Sequence, residues 1–488
     1  VDNQTDLSKK KQAAALRAFR DRFSIPLSDD QLGEIAFYKP PADSPEMQYL
    51  FERRESLGGF QPARATSFQP CEPPKPDHFE RLFKGSPQGK GQSTTLAWVS
   101  LMASLMKDPN IGKLIVPIVP DEGQTFGMPP LYNTFGIYSH VGQLYEPVDA
   151  GSLTSYRESE TGQVLQEGIN EAGSLACFIA AGTACSTHGV NTIPFYVFYS
   201  MFGFQRVGDL IWAAADSRCR GFLLGGTAGR TTLNGEGLQH EDGHSQVWAL
   251  AVPNCMAYDP AFGYELAVII QDGIRRMFVD GEDVFYYLTV YNESYEMPPM
   301  PEGAREGILK GLYKLRSAGP ANAKQQVQLL GSGTILNEVL RAQKLLAEKF
   351  NVASIVYSAT SYKELRRDAM EAERWGRLHP DRPARKSYVE QVLGDTKGPV
   401  VAASDYLRAL PESIAPYLAG RLLALGTDGF GRSDTRPALR RFFEVDAESV
   451  AAAALYALAG RGELDRAVVK KAIAELGLDA DRAAPWTV

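Results

Sequence analysis

From about Ser93 onward, apolar residues recur along the chain with two alternating periods. The stretch 94–106 has helical spacing and is followed by a continuous apolar run at 113–119 that reads as a buried strand. The segment 162–184 predicts a long helix, and 195–202, 221–224, 255–258 and 284–290 predict short strands. Strands separated by helices, with polar clusters at the strand ends, predict an α/β domain with a mostly parallel sheet. Ligands of such sheets sit beyond the carboxyl ends of the strands. Met297-Pro-Pro-Met-Pro interrupts the pattern, because proline continues neither helix nor strand. Beyond it a smaller α/β domain is predicted, with strands at 327–330, 354–357, 400–403 and 422–425 and helices at 336–350, 449–460 and 465–476. Upstream, 8–23 is a basic amphipathic helix carrying Leu16, Phe19 and Phe23, and Ser28 with Gln31 forms a capping box for a second helix. The stretch 40–92, rich in proline, glycine and charge, reads as an extended arm. The expected organisation is an N-terminal helical and extended arm over 1–90, an α/β domain over 91–300 and a second over 301–488.

Length and composition narrow the function. At 488 residues the chain exceeds one core, given a soft prior of roughly 150 residues per domain. A net charge of −7 with no basic block argues against a nucleic-acid partner. No apolar run reaches the roughly 18–20 residues of a membrane helix, so no membrane partner is expected. The start, Val-Asp-Asn-Gln-Thr-Asp, has no charged-then-apolar leader pattern. Cys71, Cys177, Cys185, Cys219 and Cys255 are scattered and odd in number. They fit reduced thiols in a cytoplasmic protein, with neither a disulfide framework nor a zinc site.

Candidate chemistry concentrates in Gly229-Arg-Thr-Thr-Leu-Asn-Gly-Glu-Gly-Leu-Gln-His-Glu-Asp-Gly-His-Ser. It holds two histidines, three acids, an arginine and four glycines in seventeen residues. No amphipathic element can be drawn through it, so burial is not its expected purpose. Glycine lets backbone approach a ligand, and histidine with glutamate carries protons near neutral pH. A polar surface loop with chance histidines is the alternative. On the predicted 162–184 helix, Glu167 and Glu171 lie four apart, beside an apolar stripe of Leu165, Ile169, Ala172, Ala176 and Ile179. Glu171 at the edge of that stripe could share a proton with a bound nitrogen; two solvated helix acids are the other reading. Phe195-Tyr-Val-Phe-Tyr-Ser-Met-Phe-Gly-Phe packs six aromatics into ten residues, one alternating set being core and the other able to stack on a flat ring. Plain core is the alternative here. Asp121-Glu122 occupies a further strand end, while His78, His140, His188 and His379 read as structural or surface residues. Gly-Asp-Gly followed by a later Asn, the Walker lysine loop and the Gly-x-Gly-x-x-Gly turn are all missing.

Four motifs carry a resemblance: Leu165-Gln-Glu-Gly-Ile-Asn-Glu, Tyr199-Ser-Met-Phe-Gly-Phe-Gln-Arg, the 229–244 loop, and Gly426-Thr-Asp-Gly-Phe-Gly-Arg-Ser-Asp. From about Phe19 to the C-terminus the chain resembles the homodimeric-type first, decarboxylating component of the pyruvate dehydrogenase complex, in the transketolase-like thiamine diphosphate superfamily. The resemblance implies a pyrimidine-binding domain followed by a transketolase-type C-terminal domain. It implies thiamine diphosphate as cofactor, with Glu171 on the pyrimidine N1′, so that the 4′-imino group takes the thiazolium C2 proton. Phe202 would stack on the pyrimidine, with Tyr199 and Arg206 nearby. Asp149, Glu122, Glu236 and His240 map to positions around the substrate and the reactive carbon. The family's diphosphate- and magnesium-binding domain has no counterpart motif, so those ligands are expected in a separate partner subunit, in a two-plus-two heterotetramer. The family's acyl-transfer loop histidine is replaced by Asp6 in Asn3-Gln-Thr-Asp-Leu-Ser.

The expectation is therefore a thiamine-dependent enzyme subunit that cleaves a 2-oxo acid or a ketose and passes a two-carbon unit to a carrier thiol. Pyruvate with a lipoyl domain is one version. Glycolyl transfer from a ketose phosphate to an acyl-carrier protein is another, and the missing histidine favours a phosphopantetheine thiol. A fragment of an ordinary full-length enzyme would show the same start. A non-catalytic scaffold subunit is the rival from another class; the complete set of Glu171, Phe202, Glu236 and His240 weighs against it.

Overall fold

The computed structural model describes residues 13–34, 36–57, 59–60, 69–121, 123–148 and 156–488. It divides into two compact units, 1–64 and 65–488. In the first, helices run over Ala13–Arg22, Asp29–Gly33 and Pro45–Ser56, and none buries a residue. Ser28 and Gln31 form the expected reciprocal capping box. The 40–92 stretch, expected as an extended arm, instead contains the Pro45–Ser56 helix and, in the second unit, the Asp77–Phe83 helix. Ser44 caps the former with proline at its first turn, where proline's lacking N–H costs nothing.

The larger sheet is six-stranded among the described residues and entirely parallel. Its strands are β1 (Ile115–Val119), β4 (Leu165–Gln166), β5 (Ile193–Tyr199), β6 (Phe222–Gly226), β7 (Cys255–Tyr258) and β8 (Phe285–Thr289), in the order β4-β1-β5-β6-β8-β7. A short pair, β2 (Ile137–Tyr138) and β3 (Glu158–Ser159), lies beside the start of β4, bridged through Ile137 and Val164. Helices cover both faces, so every residue of β5 is buried. Phe195, Val197 and Tyr199 point into one core with Trp98, Leu101 and Ile270; Tyr196 and Phe198 point into another with Leu175, Phe178 and Ile211. The aromatic strand thus has two core faces, and neither set of alternating rings within it is left for a ligand.

The smaller sheet has order β13-β12-β10-β11-β9, with β9 (Tyr313–Ala318) antiparallel to β11 (Ala353–Ser358). Strands β10 (Gln326–Gly331), β12 (Val400–Ala403) and β13 (Leu422–Leu425) are parallel. The Met297 linker is tacked down: Met297 is buried, its Sδ accepts the Gly263 amide, and its carbonyl accepts the Ser86 amide. Glu265, fully buried on the Gly263–Ile274 helix, ties that helix to the smaller sheet. Its carboxylate accepts the Ala261 and Phe262 amides and the hydroxyls of Tyr313 and Ser358, the last two at 2.6 Å. Burial raises its pKa, and these four donors oppose that rise. All five cysteines are free thiols, and among the described residues no helix is long and apolar enough to cross a membrane.

Glu265→Ala would leave four buried donors without this acceptor. A loss on the order of 3 kcal/mol is expected, read as a lower urea midpoint; an unchanged midpoint would show that the packing of this helix on the smaller sheet does not depend on the carboxylate.

Candidate active site

The long helix expected over 162–184 is broken into parts. Leu165 and Gln166 pair with Ile118 and Val119 of β1 as strand β4, and Gly168 turns the chain at φ +73°. Asn170 then caps a helix over Glu171–Gly182 by accepting the Gly173 amide at 3.0 Å. Glu167 therefore lies outside the helix, where it accepts from the Cys177 thiol. The buried face is Glu171, Ser174, Leu175, Phe178 and Gly182, whereas Ala172 and Ala176 are exposed and Ile169 is 72% exposed. Alanine packs on either face; the large Leu175 and Phe178 decide the rotation, and they carry Glu171 inward.

Glu171 opens this helix at the carboxyl end of the large sheet. Its Oε1 accepts from Arg206 Nη1 at 2.8 Å, and the Arg206 guanidinium carbon lies 4.1 Å from the centroid of the Phe202 ring. Phe202 ends a turn of 3₁₀ helix over Ser200–Phe202, directly after β5. The His240 ring stands edge-on to Phe202 at 5.1 Å and to Tyr199 at 4.8 Å, and Tyr199 is flanked by Phe126 at 5.4 Å. The His240 Nδ1 is buried with no hydrogen-bond partner. Glu171, Arg206, Phe202, His240 and Tyr199 thus form one contiguous cluster. Glu236 is half-buried on the same loop as His240, and its carbonyl accepts the Ser433 hydroxyl at 2.6 Å. Glu122, Asp149 and Asp6 lie outside the described residues. Asp121 is exposed and accepts from Gln166. Of the histidines set aside, His78 is structural, between Ser104 and Asp108.

The 229–245 loop is buried at both ends and exposed only around 234–239. Gly229 through Leu233, Glu241, Asp242 and Ser245 are buried, because the segment threads between the two sheets. Its anchor is Asp405, fully buried after β12, which accepts the Thr231 amide at 2.8 Å and the hydroxyls of Thr231 and Thr232 at 2.7 and 2.6 Å. Gly229 is obligatory there: its φ is +89°, and a Cβ would stand 2.2 Å from Asp405 Oδ2. Arg230 donates to the Thr427 and Gly429 carbonyls, both at 2.6 Å, and to His244 Nδ1 at 3.3 Å. Arginine can only donate, so Nδ1 accepts and the His244 proton sits on Nε2, facing Gln205 Oε1 at 2.9 Å. Burial lowers the His244 pKa, in keeping with that neutral tautomer.

Residues 76–298 match the family described as the pyruvate dehydrogenase E1 component middle domain, and 311–446 match the transketolase-like C-terminal domain. The chain is 53% identical over 478 residues to the pyruvate dehydrogenase E1 component of Pseudomonas aeruginosa, covering 98% of this chain and 54% of the relative. It is 49% identical over 480 residues to that of Escherichia coli K12, covering 98% and 53%. The chain belongs to the pyruvate dehydrogenase E1 component family. It spans about half the length of the curated relatives it matches. Transketolase structures share the fold: one from Pichia stipitis superposes with TM-score 0.58 at 15% identity over 93% of this chain and 54% of its own. One from Campylobacter jejuni gives 0.53 at 16% identity, over 89% and 54%.

The sequence does not mark Asp405, and it offers Arg230 and Glu241 only as members of the 229–245 stretch. Asp405 had a visible signal, an acid just past the predicted strand at 400–403; its partners lie over 170 residues away and could not be read from spacing.

Asp405→Ala removes the acceptor of three buried donors on the 229–233 segment. Faster amide hydrogen exchange at 229–233 is expected, with protection in β5 and β6 retained, and Asp405→Asn should restore part of it. Unchanged exchange in Asp405→Ala would rule out Asp405 as the anchor.

Proposed function

We propose that this chain forms the pyrimidine side of a thiamine diphosphate site, in an enzyme that cleaves a 2-oxo acid and passes a two-carbon unit to a carrier thiol. The carrying observation is Arg206, whose guanidinium meets the Glu171 carboxylate and the Phe202 ring face together. A flat, nitrogen-bearing group is thus accommodated with one edge on a carboxylate and one face on an aromatic ring. An aminopyrimidine makes the same two demands. Arg206 is half exposed and has solvent to turn into, and the orphaned His240 Nδ1 beside Phe202 offers a hydrogen-bonding atom not yet used. The residues present therefore fit the group.

When bound, thiamine diphosphate supplies the carbon nucleophile and the electron sink for carbon–carbon cleavage. Glu171 holds a proton at the pyrimidine N1′, Phe202 fixes the plane of that ring, and Tyr199 backs His240. His240 and Glu236, on one loop, handle protons on the substrate side. The resemblance adds Glu122 and Asp149 to this group. The sequence lacks the diphosphate–magnesium motif, and among the described residues no three or more of His, Cys, Asp and Glu cluster to hold a metal. The diphosphate and Mg²⁺ are therefore assigned to another domain or to a separate subunit, the latter in a two-plus-two heterotetramer. The names of the relatives favour pyruvate as donor, and with it a lipoyl domain as acceptor.

Calorimetric titration should show weak thiamine diphosphate binding by the chain alone and tight, magnesium-dependent binding once the diphosphate-binding partner is added. In that complete enzyme Glu171→Gln should cut turnover about a hundredfold or more, with assembly unchanged. Near-normal turnover would return Glu171 to a structural role. Mass spectrometry of a lipoyl domain and a holo acyl-carrier protein, each offered with pyruvate or a ketose phosphate, identifies donor and acceptor. Acylation of the acyl-carrier protein from a ketose phosphate would overturn the pyruvate assignment.

A further inference from the structure

The loop bearing Glu236 and His240 lies along the 429–433 turn of the C-terminal domain. Three contacts define this seam. Ser433 Oγ donates to the Glu236 carbonyl at 2.6 Å. The Arg432 amide donates to Glu241 Oε2 at 2.6 Å. Gly431 passes so close that a Cβ on it would stand 2.5 Å from the Leu238 carbonyl oxygen and 3.0 Å from Glu241 Cβ. The Arg432 side chain is turned away, its guanidinium 5.1 Å from the Phe442 ring, which leaves its backbone N–H for Glu241. Glu241 itself is fully buried, and its Oε1 has no partner.

We propose that Glu241 is a positioning residue: a buried side chain wedged between the 236–240 loop and the 431–433 turn that sets where Glu236 and His240 stand. This rests on the reading of those two residues as the proton carriers of the site. The charged groups facing Glu241 are Arg230 on its own loop and Asp405 after β12; Arg230 also faces Asp242 and Asp428. One guanidinium, already committed to two carbonyls and His244, is thus shared among four carboxyl groups. Burial pushes the Glu241 carboxyl up to about 8, and the Arg432 N–H only partly opposes it. A folded-state pKa above the unfolded value gives stability that is full in acid and is lost as pH rises towards 8. Ionisation would place a charge on an oxygen with no donor, and the loop that can yield is the half-exposed 236–240 segment.

The test is amide hydrogen exchange of 236–241 in the whole chain between pH 6 and 9.5, expressed as protection factors so that intrinsic exchange cancels. Protection should fall at least tenfold through about pH 8. In Glu241→Gln, which keeps the size and stays neutral, it should be flat. Gly431→Ala should lower protection at every pH without moving a midpoint. In the complete enzyme, Glu241→Gln should lose any alkaline fall in kcat that wild type shows. Glu241→Ala should lower kcat with KM little changed. Equal pH dependence in wild type and Glu241→Gln, or none in wild type, overturns the proposal. The exchange experiment needs neither cofactor nor substrate, so failure of the thiamine reading appears separately, as intact exchange behaviour without activity.

Discussion

The site depends on one buried carboxylate. Asp405 takes three hydrogen bonds from Thr231 and Thr232 and lies against the bare Cα of Gly229. A buried charge without donors would be costly, and three polar groups buried without an acceptor would be costly too, so each side fixes the other. This pairing draws a glycine-rich segment, with no regular structure, into the seam between two sheets. His240 reaches the end of β5 because the chain before it is held from the C-terminal domain.

The rest of the arrangement follows from how a parallel sheet buries both faces. β5 spends its aromatic side chains on two cores, and only where it ends, at Tyr199 and Phe202, do rings meet His240 and Arg206. Glu171 arrives from the next layer because Leu175 and Phe178 turn its helix inward. Functional groups thus collect at strand ends, where the ladder stops and side chains can converge.

A second set of contacts gives the site its polarity. Arg230 crosses from the loop to the Thr427 and Gly429 carbonyls and passes a hydrogen bond through neutral His244 to Gln205, the neighbour of Arg206. The C-terminal domain is therefore linked, through Arg230 and His244, to the helix that carries Arg206, and its 431–433 turn bonds directly to the loop that carries Glu236 and His240. It acts on the site through the Asp405 carboxylate, the Ser433 hydroxyl, backbone groups and a close glycine contact.

The sequence by itself determined the alternation of strands and helices, the two-sheet organisation and the Met297-Pro linker. Local periodicity and proline chemistry decide those, and β7, β12 and β13 lie where the apolar runs place them. The family resemblance of its motifs also pointed to Glu171, Tyr199, Phe202, Arg206 and His240, which the fold brings into one cluster. The tertiary structure alone decided which face of the Glu171 helix is buried, since small alanines leave the rotation open until Leu175 and Phe178 meet the sheet. It decided as well that both ends of the polar 229–245 loop are interior, because their donors and acceptors are satisfied by Asp405, Thr427, Gly429 and Arg432, far away in the chain. Burial of a polar segment is set by its partners, and no local pattern carries the identity of partners that only the fold brings within reach.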